Sequence, residues 1–390
     1  MLKSLREVMY HSFYENNSED FIRKINLPNY YVFGEMLDLF LELHAGYGRT
    51  PEPHTITVLC VTYSAFRIAI NKGFNAIYLY DILDFHDEDY YPKVGIPSFG
   101  FVILESADTI SYSLIKKLHE AMNPNTYFYV FYDSYIPRRL LPEEDILNLV
   151  GGSYNVMRVT SDKNVMNVYI RHFLNLLRQR QNSIDFCLAK DNKNIDKEEI
   201  TRFDLALHLD ISRPIITPHI TITNALNNKI RNYLGLNNQD DPLKPQVGEW
   251  LVCERGVECI EVGSGKKHTL PIGFRFQCTD SSTTIEGAYL INFKLERPDG
   301  EIVDVYTYAA KRYLEYMTYG RSDLPHPPYS YCINYGYVIP AFYSVNQEYP
   351  EGTIIFDGRL SQDKQDFYSC ILPIKKHIKI YYNLKQRIEI

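Results

Sequence analysis

Along residues 33 to 44, FGEMLDLFLELH, the side chains Phe33, Met36, Leu37, Phe40, Leu41 and His44 recur at the spacing that puts one apolar face on a helix. Residues 55 to 61, TITVLCV, are β-branched and apolar and predict a strand. A helix is predicted over 64 to 71, and a short apolar segment follows at 77 to 85. Two more apolar runs bounded by turn-type residues, FVIL at 101 to 104 and YFYVFY at 127 to 132, flank the helical pattern SYSLIKKLHEAM at 111 to 122. Alternation of this kind predicts a parallel sheet covered by helices, with functional loops at the strand C-terminal ends.

A second block opens with PIIT at 214 to 217, passes through the helical ALNNKIRNYLG at 225 to 235, and reaches the turn-rich DDPLKPQVGEW at 240 to 250. The pattern then changes. From 249 to 308 the strand-like runs EWLVCE, GFRFQC, AYLINFKLE and EIVDVYTYA are separated by GSGKK, DSSTT and RPDG turns, which predicts a small inserted β module. Mixed α/β sequence resumes near Tyr329. Neither an internal repeat nor a low-complexity tract interrupts the chain.

Composition narrows the class only a little. A chain of 390 residues, 45% hydrophobic and 23% charged, can bury the cores of two to four domains. Thirty-three Tyr and 20 Phe beside one Trp favour amphipathic aromatics, which stack on bases but equally fill cores. The formal charge of −7 argues against a generally basic nucleic-acid coat and leaves room for a local basic groove. Cys60, Cys187, Cys253, Cys259, Cys278, Cys332 and Cys370 form no CxxC pair and no zinc spacing. They predict reduced thiols in a cytoplasmic protein and no bound metal. The N-terminal MLKSLREVMYHSFYENNSED lacks an apolar signal core, and no run approaches the ~18 apolar residues of a membrane span.

Taken in order, these segments resemble the Dda/RecD-like branch of superfamily 1 DNA helicases over nearly the whole chain, through collinearity rather than any single motif. Residues 56 to 65, ITVLCVTYSA, resemble a strand and a T-x-x-A turn that contacts single-stranded DNA, and 77 to 83 the segment after it. FVILESAD at 101 to 108 stands where the family has an apolar strand ending in Asp-Glu, and VFYDSYIP at 130 to 137 in place of G-D-x-x-Q-L-x-P. Residues 215 to 231 resemble T-N-x-x-x-x-x-x-N-x-x-I-R, with Asn227 and Arg231 matching. GEWLV at 248 to 252 resembles the start of the family's inserted β-barrel, and 331 to 357 and 367 to 382 its last two motifs.

The resemblance implies an α/β fold of two RecA-like parallel-sheet lobes with a small inserted β-barrel (SH3-like) module. The first lobe spans 1–140, with a short pin-like insertion at 84–100 that is a poor wedge for a duplex, and 141–205 is its helical remainder. The second lobe is 206–248 with 326–390, and the β module 249–325. Thr62, Tyr63, His219, Asn224, Asn227 and Arg231 lie on segments resembling the DNA-gripping loops, although each residue type serves equally as cap, turn residue or core filler. A basic helical face is expected at 171 to 180, with Lys190 beyond it, against the alternative of a solvated helix surface.

By the same resemblance the nucleotide site is degenerate. A phosphate-binding loop needs glycines, a Lys and a Ser/Thr; here LPNYYVFG at 27 to 34 brings Tyr30, Tyr31, Val32 and Phe33 ahead of Gly34. Glu105-Ser106 replaces the metal and water-activating Asp-Glu pair, Asp133 survives nearby, and the γ-phosphate-sensing Gln falls at Ile136. An Arg corresponds to Asn164, H-K-x-Q-G corresponds to Gly336, Tyr337, Ile339 and Pro340, and the last T-R corresponds to Leu372-Pro373. One such arginine contributes roughly 10³ to 10⁵ in rate. The expectation is therefore no catalytic residue, no nucleotide cofactor and no metal. GSGKK at 263 to 267 lacks the first glycine and the terminal Ser/Thr of a phosphate loop and predicts a hairpin turn.

The expected role is a DNA-binding or scaffold subunit of replication or recombination, partnered by single-stranded DNA and by a protein of that machinery, with no membrane. Motif drift and an Asn/Ile/Tyr-rich composition point to a viral or mobile-element source. Two rival readings stay open: a protein-interaction module that has lost nucleic acid, and an active ATPase with displaced residues.

Overall fold

The computed structural model describes residues 22–26, 34, 37–38, 40–42, 51–86, 89–92, 96, 100–105, 110, 112–123, 126–132, 166–218, 220–238, 240–254, 256–284, 287–297, 300–319, 332–344, 347–360 and 363–389. The chain divides into two compact units, Met1–Val165 and Met166–Ile390.

The first unit runs β1 (Ile22–Asn26), β2 (Ile56–Cys60), α1 (Tyr63–Asn71), β3 (Asn75–Tyr78), β4 (Leu83–His86), β5 (Asp89–Pro92), β6 (Phe101–Leu104), α2 (Tyr112–Glu120) and β7 (Tyr127–Tyr132). Five strands form a sheet in the order β1-β7-β6-β2-β3, and every pairing is parallel. All five residues of β2 are buried, as expected of a strand covered on both faces. Thr62 caps α1 by accepting from Ala65 N at 3.2 Å, and Gly73, at φ +80°, takes the left-handed position just past its end. Leu59, Leu79, Val102, Leu104, Leu118 and Phe128 supply the core. Ahead of β2 the backbone is helical at 34, 37–38 and 40–42, and Leu37 and Phe40 are buried as their spacing predicts. β4 and β5 form a two-stranded hairpin inside the span expected to carry a pin, from Leu83↔Pro92 to His86↔Asp89. Lys117 on α2 lies 3.6 Å from the centroid of the Tyr91 ring, which ties this hairpin to the helix layer.

The second unit begins with α3 (Val168–Arg178), α4 (Ile184–Ala189), β8 (Ile195–Glu199), β9 (Ile215–Thr217) and α5 (Ile220–Tyr233). The β-rich stretch follows as β10 (Trp250–Cys253), β11 (Val257–Glu261), β12 (Lys267–Leu270), β13 (Arg275–Gln277), β14 (Asp280–Thr283), β15 (Ala288–Glu296) and β16 (Ile302–Ala310). It closes with α6 (Lys311–Tyr319), β17 (Ile333–Tyr335), β18 (Val338–Pro340), β19 (Tyr349–Asp357), α7 (Lys364–Ile371) and β20 (Ile374–Asn383). A second all-parallel sheet has the order β18-β9-β19-β20-β8. The strands of the β-rich stretch form an antiparallel sheet, β12-β11-β16-β15-β14, and, together with β17, a three-stranded sheet, β13-β10-β17. One apolar core runs from Ile215, Leu226 and Ile230 of the α/β part to Leu251, Tyr289 and Phe293 of the β part.

Two expectations are corrected by this arrangement. Residues 166 to 205 do not complete the first lobe. β8 pairs with β20 as an edge of the second sheet, and Phe173 on α3 meets Phe367 on α7 edge to face. IDKEE was illegible as a strand because an edge strand keeps its charges in water. DSSTT is not a turn but strand β14, paired with β15 from Asp280↔Asn292 to Thr283↔Tyr289. The turn lies just beyond it, where Gly287 at φ +75° donates to Thr284 O. β12 and β14 stand at opposite ends of the antiparallel sheet.

Candidate functional site

The C-terminal end of β6 carries the one acid that the sequence aligns with a metal and water site. Glu105 is 9% exposed, and its carboxylate is turned back onto the junction of β2 and α1. Its Oε2 accepts from Val61 N at 2.9 Å and Thr62 N at 3.1 Å, and its Oε1 lies 3.5 Å from Thr62 Oγ1. These backbone donors would otherwise be orphans at the start of a helix. The carboxylate therefore acts as a clamp on a turn. Both N–H bonds fall on Oε2. Among the described residues no cluster of His, Cys, Asp or Glu could hold a metal ion. Burial, and next the charge of Glu105, push the neighbouring Cys60 thiol well up, so it stays a neutral core residue.

Gly34 is helical, and a Cβ there would meet Lys72 Cε at 2.7 Å and Ile68 Cγ2 at 3.2 Å. The Lys72 stem crosses this glycine so that its ammonium can reach Asp38 at 2.7 Å. That ammonium is already ion-paired. Tyr30, Tyr31, Phe33, Ser106, Asp133, Ile136 and Asn164 lie outside the described residues.

In the second unit the positions aligned with catalytic polar groups are packed as core. Tyr337 and Ile339 are 3% and 0% exposed. At Gly336 a Cβ would meet the backbone of Leu251 at 2.7 Å, so the strand approach there admits only glycine. Leu372 and Pro373 form a buried corner between α7 and β20, where Pro373 O accepts from Tyr349 N at 2.8 Å.

The six candidate DNA contacts separate sharply. Thr62 is half-buried and engaged as the α1 cap, and the side chain of Tyr63 and all of His219 lie outside the described residues. Asn224 is half-buried, with its Oδ1 3.3 Å from Asn334 Nδ2. Asn227 and Arg231 are inside the protein, the core-filling alternative that was open for each. Asn227 donates to Tyr335 O and Val338 O at 2.9 and 3.0 Å and accepts from Val338 N at 2.9 Å. Arg231 bonds Glu249 Oε1 at 2.5 Å, Asn237 Oδ1 at 2.8 Å and Pro242 O at 2.7 Å, and its guanidinium lies 3.9 Å from the centroid of the Tyr335 ring. Both side chains of the Arg231–Glu249 pair are 0% exposed. Burial pushes the Glu249 carboxyl up, and the guanidinium pulls it back. The pattern held a warning: Thr223, Leu226, Asn227, Ile230 and Arg231 share one helical stripe, the spacing of a core face.

Polar networks that the sequence did not signal lie in the β part. Glu254, 2% exposed, accepts from Tyr313 Oη and from Asn334 Nδ2 at 2.7 Å. Glu261 accepts from Ser264 Oγ at 2.6 Å and Arg297 Nη1 at 3.2 Å and bonds His268 Nε2 at 2.8 Å. The Ser264 bond and then the His268 bond hold its carboxyl at about 2. GSGKK is the hairpin turn expected between β11 and β12, with Gly263 and Gly265 at φ +92° and +69°. On the expected basic face at 171 to 180, Arg171 is 4% exposed and Arg178 lies 3.4 Å from Tyr368 Oη, while Arg180 is exposed. No helix among the described residues is long and apolar enough to cross a membrane.

No protein-family model matches the chain, and no curated protein does. Among solved structures it is similar to Pif1 helicase from Candida albicans, at 10% identity and a TM-score of 0.41, over 100% of this chain and 97% of that one. It is also similar to unliganded Pif1 from Bacteroides sp, at 11% identity and a TM-score of 0.38 over 97% and 92% of the chains. Pif1 from Bacteroides in complex with ADP-AlF3 and ssDNA gives 11% identity and a TM-score of 0.40 over the same shares. At such identities and TM-scores, the chemistry of the site rests on its own residues.

Proposed function

We propose that this chain is a helicase-like protein without motor activity, acting as a DNA-binding or scaffold subunit in DNA replication or recombination. The observation that carries the reading is Glu105, whose carboxylate clamps the β2–α1 turn through Val61 N and Thr62 N. An acid held this way gives one of its two oxygens to the backbone of the turn. The apolar corner at Leu372-Pro373 and the buried Tyr337 and Ile339 support the same reading, since these positions, which resemble the family's last motifs, carry neither a cation nor an acid. A fluorescence-anisotropy titration of the full chain against a labelled single-stranded oligonucleotide at low salt tests the binding half. Saturable association that weakens steeply with salt supports it, and no association at any concentration refutes it.

A second reading, a protein-interaction module without nucleic acid, draws support from Asn227 and Arg231. Two of the six candidate DNA contacts are committed to holding the fold.

A further inference from the structure

Next to α3, around α4 and the loop leading to β8, lysines stand beside exposed aromatic rings, with Asp191 and Asp196 among them. Two exposed aromatic rings there each carry a lysine: Lys193 Nζ lies 5.9 Å from the centroid of Tyr169, and Lys190 Nζ 4.7 Å from that of Phe186. Tyr169 is 37% exposed and Phe186 43%, far more than packing needs for rings of this size. Tyr169 and Lys193 face an open groove of about 770 Å³ along β8, to which Leu188 at the end of α4, Lys197 and Tyr382 also contribute. Lys197 is anchored in that groove by donating to Leu188 O at 2.9 Å and to Lys190 O, which holds its charge in a fixed place. The loop is itself fixed by Asn194, at φ +67°, whose carbonyl accepts from Ile378 N at 2.9 Å.

A flat ring with a cation beside it is the minimal unit that reads a strand of stacked bases joined by phosphates: the ring takes a base, the ammonium the neighbouring phosphate. We propose that this groove, with the Phe186–Lys190 pair on α4 and the loop beside it, is a binding site for single-stranded DNA: Tyr169, Lys193 and Lys197 line the groove, and Phe186 and Lys190 extend it as a second ring and lysine outside its lining. This rests on the DNA-binding reading above and gives it a surface that the aligned motif residues do not supply. Asp191 and Asp196 also line the groove and oppose a polyanion. They make the proposal sharper, because removing them should strengthen binding while removing the lysines weakens it.

The test is anisotropy titration of the full chain with a labelled single-stranded oligonucleotide over a range of salt, with thermal melting to confirm that each variant is folded. Tyr169→Ala with Phe186→Ala should weaken binding at least about fivefold for each ring removed. Lys190→Ala with Lys193→Ala should lower the slope of log K against log salt by about 0.7 for each phosphate left without its lysine. Asp191→Asn with Asp196→Asn should tighten binding. If the wild-type chain binds while folded variants of all three kinds match it, the groove is excluded and DNA binds elsewhere. If the wild-type chain does not bind even at low salt, the groove and the DNA-binding reading fall together.

Discussion

Replacing Arg231 with Met removes the cation at the centre of the second unit and leaves Glu249 behind, and the cost follows from the surroundings of the pair. The two side chains are fully buried, so the remaining carboxylate has neither water nor a counter-charge. Asn237 Oδ1 and Pro242 O lose their donor in the same step, and the Tyr335 ring loses the guanidinium stacked on it. Breaking a buried pair by removing one partner costs about 3–5 kcal/mol. Urea unfolding followed by fluorescence is well suited to the question, because the single tryptophan, Trp250, is next in sequence to Glu249. Arg231→Met should lower the midpoint by an amount equivalent to that range, and adding Glu249→Gln should recover part of it by removing the stranded charge. A loss below about 1 kcal/mol, the worth of a surface pair, would refute the argument. So would a double variant as unstable as the sum of the two single ones.

Four further outcomes are expected. Glu105→Ala should destabilise the first unit by about 1–3 kcal/mol, because Val61 N and Thr62 N lose their acceptor, and circular-dichroism melts will read it. Gly336→Ala drives a Cβ against the Leu251 backbone and should cost about 1–3 kcal/mol or more, measurable by the same urea titration. Glu261 has a folded pKa of about 2, below its ordinary 4.5. Its contribution is thus present above pH 4.5 and lost as pH falls from there toward 2, so the Tm gap between wild type and Glu261→Gln should be open at pH 6 and closing below pH 4.5. Arg171→Met should change single-stranded DNA affinity less than about twofold, since the side chain is buried, and anisotropy with the wild type as control checks it.

The first parallel sheet was legible because a strand buried along its whole length, such as ITVLC, announces itself as an unbroken apolar run, whereas the second lobe was implied only by the resemblance. β8 and β14 were not legible, because IDKEE and DSST are edge strands whose polarity imitates loop and turn. The boundary at 205 failed for the same reason: once β8 is missed, nothing in the pattern says which sheet α3 and α4 cover. At the site, the residue type at Glu105 was readable but its direction was not, since a carboxylate aimed at a metal and one aimed at backbone N–H groups have the same letter. Asn227 and Arg231 matched a motif and were read as contacts with a ligand, yet their positions on a core stripe fitted an internal role better. Tyr169 and Phe186 went unremarked, since one ring on a helix carries no meaning until a lysine from a later loop is seen beside it.

The most direct test of the central claim is phosphate release by the purified chain with ATP, magnesium and single-stranded DNA, run beside Glu105→Gln. A clamp on a turn predicts no release above the protein-free control for either protein. DNA-stimulated release by the wild type that Glu105→Gln abolishes would place that carboxylate in catalysis and contradict the account.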